Sequence, residues 1–184
     1  EMCKRLKRDR VIDGDSEAVL GDTPVKLMQK LHQMYSGTVK FESGNSMVFD
    51  HTKAQYIYDK FGDEKVAIFY KFKAELQALQ EVYGDQITVD LTEFDTTDKS
   101  IALQIVSGRE GISLRRASSL IYYNIDFSAT SYWQSRDRMT TKERTESNIY
   151  WVFSEHGIET KIYKAVSAKK DYTLSHFRND ILTL

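Results

Sequence analysis

The chain has a single cysteine, Cys3, among its 184 residues, which excludes an internal disulfide framework and suits a reducing compartment. One proline and nine glycines leave no room for a long low-complexity tract or structureless linker. No apolar run approaches the roughly 18 residues of a membrane span, and no leader pattern opens the chain, so no membrane partner is expected. His32, His51, His156 and His176 lack metal-ligand spacing, and with one thiol no metal site is expected. There is no Gly-x-Ser-x-Gly elbow for a serine nucleophile. There is also no Gly-x-x-x-x-Gly-Lys-Ser/Thr, hence no loop whose amides could grip β- and γ-phosphates. Asp63-Glu64 precedes an apolar strand instead of ending one, which excludes it as a magnesium-holding acidic box. A net charge of −1 means that the whole domain is no magnet for a polyanion.

With 41% hydrophobic and 29% charged residues, the chain is long enough to bury a real core as one globular domain. The basic residues gather in three places: Lys4, Arg5, Lys7, Arg8 and Arg10; Arg136, Arg138, Lys142 and Arg144; Lys161, Lys164, Lys169 and Lys170. Solvated faces are the ordinary reading of such runs. The chain opens on Glu1 rather than a methionine, from which an upstream part is expected.

Residues 1–22 are polar and show no clear period. Asp22-Thr23-Pro24 reads as a helix start, Leu27, Met28, Leu31, Met34 and Tyr35 follow at helical spacing, and Gly37 ends the element. Val39 and Phe41, a Ser43–Ser46 turn and Met47–Phe49 predict a hairpin, followed by a helix over about 51–61. The pattern then changes. Val66–Tyr70 is a continuous apolar run, as expected of a strand buried on both faces. A helix over 74–83 follows, then strands at 87–89, 101–106, 119–125 and 149–153, with Ser128 capping a helix and an amphipathic helix over 157–169. Strands alternating with helices predict an α/β fold with a mainly parallel sheet. No internal repeat is present. In such sheets ligands meet the loops beyond the carboxyl ends of strands, which directs attention to 107–114, 126–138 and the stretch after Phe69.

Ser107-Gly108-Arg109-Glu110-Gly111-Ile112-Ser113-Leu114 follows a strand, and its glycines, three apart, let a backbone turn tightly beside a phosphate. Such turns are also common without a ligand. Ser131–Arg138 follows another strand as a helix, and Gln134 and Arg138 are four apart, so they are expected on one helical face. A guanidinium held there can take phosphate oxygens bidentately, although a glutamine and an arginine at this spacing also make an ordinary surface face. Trp133, Trp151 and the eleven tyrosines could stack bases, but they are expected to pack the core or its rim.

Taken in order, these segments resemble the second lobe of superfamily-two helicases, closest to the Swi/Snf group and its bacterial and phage relatives. Lys65–Tyr70 with its helix is similar to motif IV, and Ser107–Leu114 to motif V, with Gly111-Ile112-Ser113-Leu114 where the family has Gly-Leu-Asn-Leu. Ala117–Asn124 is similar to the strand that follows. Gln134 and Arg138 match the first two positions of motif VI, Gln-x-x-x-Arg-x-x-Arg, and Gly157–Tyr163 resembles the family's Thr-Ile-Glu-x-Lys-Ile segment. Pro24–Gly37 is similar to the helix preceding this lobe. The likeness covers roughly 23–172, leaving 1–22 as an unassigned N-terminal segment and 173–184 as a C-terminal helix or tail.

The resemblance implies a RecA-like α/β lobe with an N-terminal helix and hairpin. It implies Gln134, Arg138, Gly108 and Gly111 as ATP-binding, Arg138 and Arg144 as catalytic, and Ser107, Arg109, Phe69 and Tyr70 as nucleic-acid-binding. ATP with Mg2+ would be held mainly by a first RecA-like lobe of the same polypeptide, and DNA is the implied partner, in the cytoplasm of a bacterial or phage-infected cell. On this basis the chain alone is expected not to hydrolyse ATP.

Two departures stand out. Thr141 occupies the position of the second motif VI arginine, the family's arginine finger, and the next arginine is Arg144. Arg144 can face the same phosphates only if the helix stops by about Thr141 and a loop turns back. The stretch 90–100 is short where the family has a helix, so one sheet edge or face is expected to be less covered. Three readings remain: a motor lobe completing an ATP site; a degenerate RecA-like lobe docking DNA or protein; and an unrelated α/β domain for a small molecule. An upstream Walker A box would separate the first from the others.

Overall fold

The computed structural model describes residues 1–106, 112–139 and 148–182. The segment 1–22 is ordered by a few apolar side chains that its polar composition hides. Helix α1 (Met2–Asp9) buries Leu6, and strands β1 (Val11–Asp13) and β2 (Ala18–Leu20) form an antiparallel hairpin that buries Val19. Helix α2 (Pro24–Met34) starts as expected, with the Thr23 hydroxyl accepting from the Lys26 amide at 3.3 Å and proline in the first turn. The turn that closes it reaches Gly37, whose φ of 82° favours glycine, and any Cβ there would meet the Asp50 carbonyl oxygen at 2.2 Å. Strands β3 (Thr38–Lys40) and β4 (Ser46–Val48) form the expected hairpin, and α3 (Thr52–Phe61) follows.

Five strands then build one parallel sheet: β5 (Val66–Tyr70), β6 (Ile87–Thr88), β7 (Ser100–Gln104), β8 (Ser119–Tyr122) and β9 (Asn148–Trp151), in the order β6-β7-β5-β8-β9. The central strand β5 is buried along its whole length, which is why it reads as an unbroken apolar run. Period-two alternation splits it between the two faces. Ala67 and Phe69 join a core with Leu27 and Leu31 of α2, Tyr132 of α6 (Ala129–Arg136) and Ile158 and Ile162 of α7 (Ile158–Ser167). Val66, Ile68 and Tyr70 join Ile57 of α3 and Leu79 of α4 (Lys73–Tyr83). The arrangement is the expected α/β one: a parallel sheet flanked by helices, with an N-terminal helix and antiparallel hairpin.

One expectation is corrected. The stretch 90–100 does hold a helix, α5 (Leu91–Thr96). Six residues suffice because the Asp90 carboxylate accepts from the Glu93 amide at 2.8 Å, and the Lys65 ammonium bonds the Phe94 and Thr97 carbonyls from below. Phe94 is fully buried, so that face of the sheet is covered. The chain closes with α8 (Leu174–Phe177) and a π turn at Arg178–Leu182, pinned by the buried Phe177. Among the described residues, no helix is long and apolar enough to cross a membrane.

Candidate functional site

β5 leads through α4 to β6 on one side of the sheet, and β8 leads through α6 to β9 on the other. The chain therefore diverges beyond the carboxyl ends of these neighbouring strands, where an open α/β sheet usually leaves a crevice. Here α2 and its end fill it. The Glu75 carboxylate, with no exposed surface, accepts from the Lys71 and Phe72 amides at 2.8 and 3.0 Å, from the Ser36 hydroxyl at 2.6 Å, and from the Asn124 amide group. Asn124 Oδ1 accepts from the Ile125 amide and from His32 Nε2 at 2.6 Å, so Nε2 carries the imidazole hydrogen and the unpartnered Nδ1 is bare. Phe72 and Phe127 stand against the imidazole at 5.1 and 4.8 Å, and Lys71 pairs with Asp126 at the rim. The network ties α2, the β5–α4 turn and the end of β8 into one unit.

Burial, then the Lys71 charge, hold the His32 pKa well below the ordinary histidine value. The unfolded chain therefore binds a proton that the folded chain refuses once pH falls below about 6.5. We expect stability to drop as pH is lowered from about 6.5 toward 5, with a limiting slope of about 1.4 kcal/mol per pH unit. Urea unfolding midpoints at a series of pH values check this; a His32→Gln variant should lose that slope, and an unchanged slope would show that His32 is not its source.

Two stretches beyond the strands flanking β5 remain for ligand chemistry. After β7, residues 107–111 lie outside the described residues, and with them the expectations placed on Ser107, Gly108, Arg109 and Gly111. The chain re-enters at Ile112, and the Leu114 amide donates to the Arg138 carbonyl at 3.3 Å. After β8, Ser128 caps α6 as expected, its hydroxyl accepting from the Ser131 amide at 3.2 Å.

The α-helix ends at Arg136 and tightens into a 3-10 turn over Asp137–Met139. This corrects the expected shared face of Gln134 and Arg138. A 3-10 turn advances about 120° per residue against about 100° in an α-helix, which rotates Arg138 away from Gln134. Gln134 is exposed, whereas Arg138 is only 8% exposed, and its Nε has no hydrogen-bond partner among the described residues. Burial pulls the Arg138 pKa below the usual arginine value. Thr141 and Arg144 lie outside the described residues.

Phe69 and Tyr70 belong to the core: Phe69 is fully buried against Tyr122 at 5.6 Å, and Tyr70 is 8% exposed. A ring without open surface cannot stack a base, so Phe69 offers none to a nucleic acid, and Tyr70 keeps only a small exposed edge. Burial pushes the Cys3 thiol up to about 11, which makes it a poor nucleophile. No group of three or more acidic, histidine or cysteine side chains that could hold a metal occurs among the described residues.

Sequence reading missed one buried ion pair. Lys53 Nζ lies 3.0 Å from Glu159 Oε1 and donates to the Tyr123 carbonyl at 3.0 Å, joining α3, the end of β8 and α7. A lysine in the first turn of a helix reads as solvated, and only its partner 106 residues away shows otherwise. Gly157 leaves the carboxylate its room, since a Cβ there would meet Glu159 Oε2 at 2.0 Å.

No family model and no curated protein matches this chain. A solved structure described as the C-terminal part of the Fun30 ATPase domain is similar, at 27% identity over 65% of this chain, with a TM-score of 0.49. The match spans 43% of that structure's own length.

Proposed function

We propose that this chain is the second motor lobe of a DNA-dependent, helicase-like ATPase of the Swi/Snf kind, completing an ATP site whose P-loop and magnesium ligands lie on a first RecA-like lobe. The observation that carries this reading is the meeting of the two motif-like segments. The end of the first stretch, from Ile112 to Leu114, and the 3-10 turn that carries Arg138 just beyond the helix of Gln134 follow the strands on either side of β5, and they join through the Leu114–Arg138 hydrogen bond. Segments 24 residues apart thus act on one another directly, as expected of a lobe that relays between nucleotide and DNA.

The exposed Gln134 amide and the Arg138 Nε–H, which has no partner among the described residues, are donors suited to phosphate oxygens. ATP supplies the phosphoanhydride to be cleaved, and this chain's part is to orient and neutralise it. Ser107 and Arg109 are assigned to the DNA backbone, Gly108 and Gly111 to the nucleotide side, and Arg144 to the finger. Such a motor would work in the cytoplasm of a bacterial or phage-infected cell.

One observation favours a second reading, a degenerate lobe that docks DNA or protein: Arg138 is buried rather than presented. ATP hydrolysis separates the two. The purified 184-residue chain should show no turnover above a buffer blank, with or without DNA, while the complete polypeptide hydrolyses ATP and is stimulated by DNA. Stoichiometric turnover by the chain alone would overturn the half-site reading, and a complete polypeptide without turnover would leave the docking module.

A further inference from the structure

The second and third basic clusters of the sequence converge in the fold. Arg136 ends α6, Lys169 follows α7, and their cationic groups stand 5.1 and 5.6 Å from the centre of the Trp133 ring. The indole N–H donates to the Val166 carbonyl at 2.9 Å, which clamps the ring at the α6–α7 junction. Neither cation forms a salt bridge among the described residues. Positive charge is therefore gathered around an aromatic face without a paired carboxylate among the described residues.

The placement of Lys169 adds an independent sign. The Lys170 amide bonds the Ala165 carbonyl and the Lys169 amide the Val166 carbonyl, a Schellman ending with Lys169 in the left-handed position at φ 61°. Glycine is the usual occupant there, because a side chain brings backbone strain. A strained residue that presents an ammonium to a cavity points toward function.

The cavity has a volume of about 420 Å³ and is lined by Ala129, Thr130, Trp133, Gln134, Asp137 and Lys169. It is a depression open toward solvent, with a volume within the roughly 300–1,000 Å³ of small-molecule sites. Gln134 belongs to the cavity lining and Arg138 does not.

We infer that this cavity is a nucleotide subsite, in which the Trp133 indole receives the base and Lys169 takes phosphate charge, with Arg136 adding positive charge from beside the ring, outside the lining. They supply the accessible cations that the buried Arg138 lacks. The inference rests on the motor-lobe reading, because Gln134 links the cavity to the ATP side. Asp137 argues for a mononucleotide over a strand of DNA: a carboxylate repels a continuous run of phosphates but accepts from a ribose hydroxyl or a base amino group.

Lys169→Gly is the informative variant, since it removes the ammonium while relieving the strained backbone. Its melting temperature should equal or exceed that of the wild type, which rules out misfolding. In the complete polypeptide, the KM for ATP should rise about tenfold or more, as for loss of one charge-assisted contact, with kcat and DNA affinity little changed. Arg136→Gln should act in the same direction. An unaltered KM in both variants would overturn the inference, as would weakened DNA binding with KM unaltered, which would make the patch a DNA contact. If the wild-type polypeptide hydrolyses no ATP, the motor reading has failed, and tryptophan emission decides the cavity separately. In a Trp151→Phe background, millimolar ATP should change Trp133 emission and Lys169→Gly should shift the response to higher concentration; no response would sink the subsite.

Discussion

Replacing Arg138 by alanine in the complete polypeptide is expected to lower ATP turnover by about 10³-fold or more, the loss typical of removing a guanidinium that steadies a transferring phosphoryl group. The guanidinium is buried within a 3-10 turn, and its Nε has no partner among the described residues, so it is held in a low-dielectric setting with donor capacity unspent there. Charge developing on a phosphate is stabilised most by a donor that has little water to give up. The loss should appear in kcat rather than KM, because an interaction made only in the transition state lowers kcat and kcat/KM together. Lys169 should behave in the opposite way, which makes the two cations separable by steady-state kinetics. A turnover within a few-fold of wild type, with a melting temperature showing the variant folded, would refute the assignment of Arg138 and favour the docking module.

The second large effect concerns stability. Lys53→Ala should cost about 3–5 kcal/mol, because it leaves the fully buried Glu159 carboxylate without its counter-charge. Against a typical total of about 5–15 kcal/mol for a domain, that is enough to leave much of the protein unfolded at moderate temperature. Replacing both partners with apolar residues of similar volume should be far milder, since the desolvation cost of two charges disappears along with their attraction. Chemical denaturation of the two single variants and the double variant gives the coupling directly. A single-variant loss below about 1 kcal/mol would mean that water reaches the pair and screens it.

The parts of the fold set by local chemistry were legible from the sequence. Thr23-Pro24 and Ser128 announce their helices because a hydroxyl before the first turn satisfies an otherwise unpaired amide. Val66–Tyr70 announces a central strand because a short, β-branched-rich apolar run suits a strand buried on both faces. The polar segment 1–22 was not legible, since its order comes from single apolar anchors, Leu6 and Val19, that dock on distant elements. Nor was α5, whose short length is supported by a lysine from outside it. Among site residues, the i,i+4 relation of Gln134 and Arg138 assumed a helix that tightens one residue too early for it to hold. The His32–Asn124–Glu75 network and the company kept by Trp133 arise from tertiary contacts of 33 to 92 residues' separation, which no local pattern encodes.

The Lys53–Glu159 pair also bears on how the chain is made. At about 5–20 residues per second, the 106 residues between the partners take about 5–20 s to leave a ribosome. For that interval Lys53 has no carboxylate to accompany it into the interior, and α3 cannot settle over Tyr123 without burying a lone charge. The emerging N-terminal half is thus held open until α7 is synthesised. On this account closure of the domain is expected late, and polypeptides that stop short of residue 159 would be left with an exposed sheet face for chaperones and proteases to find.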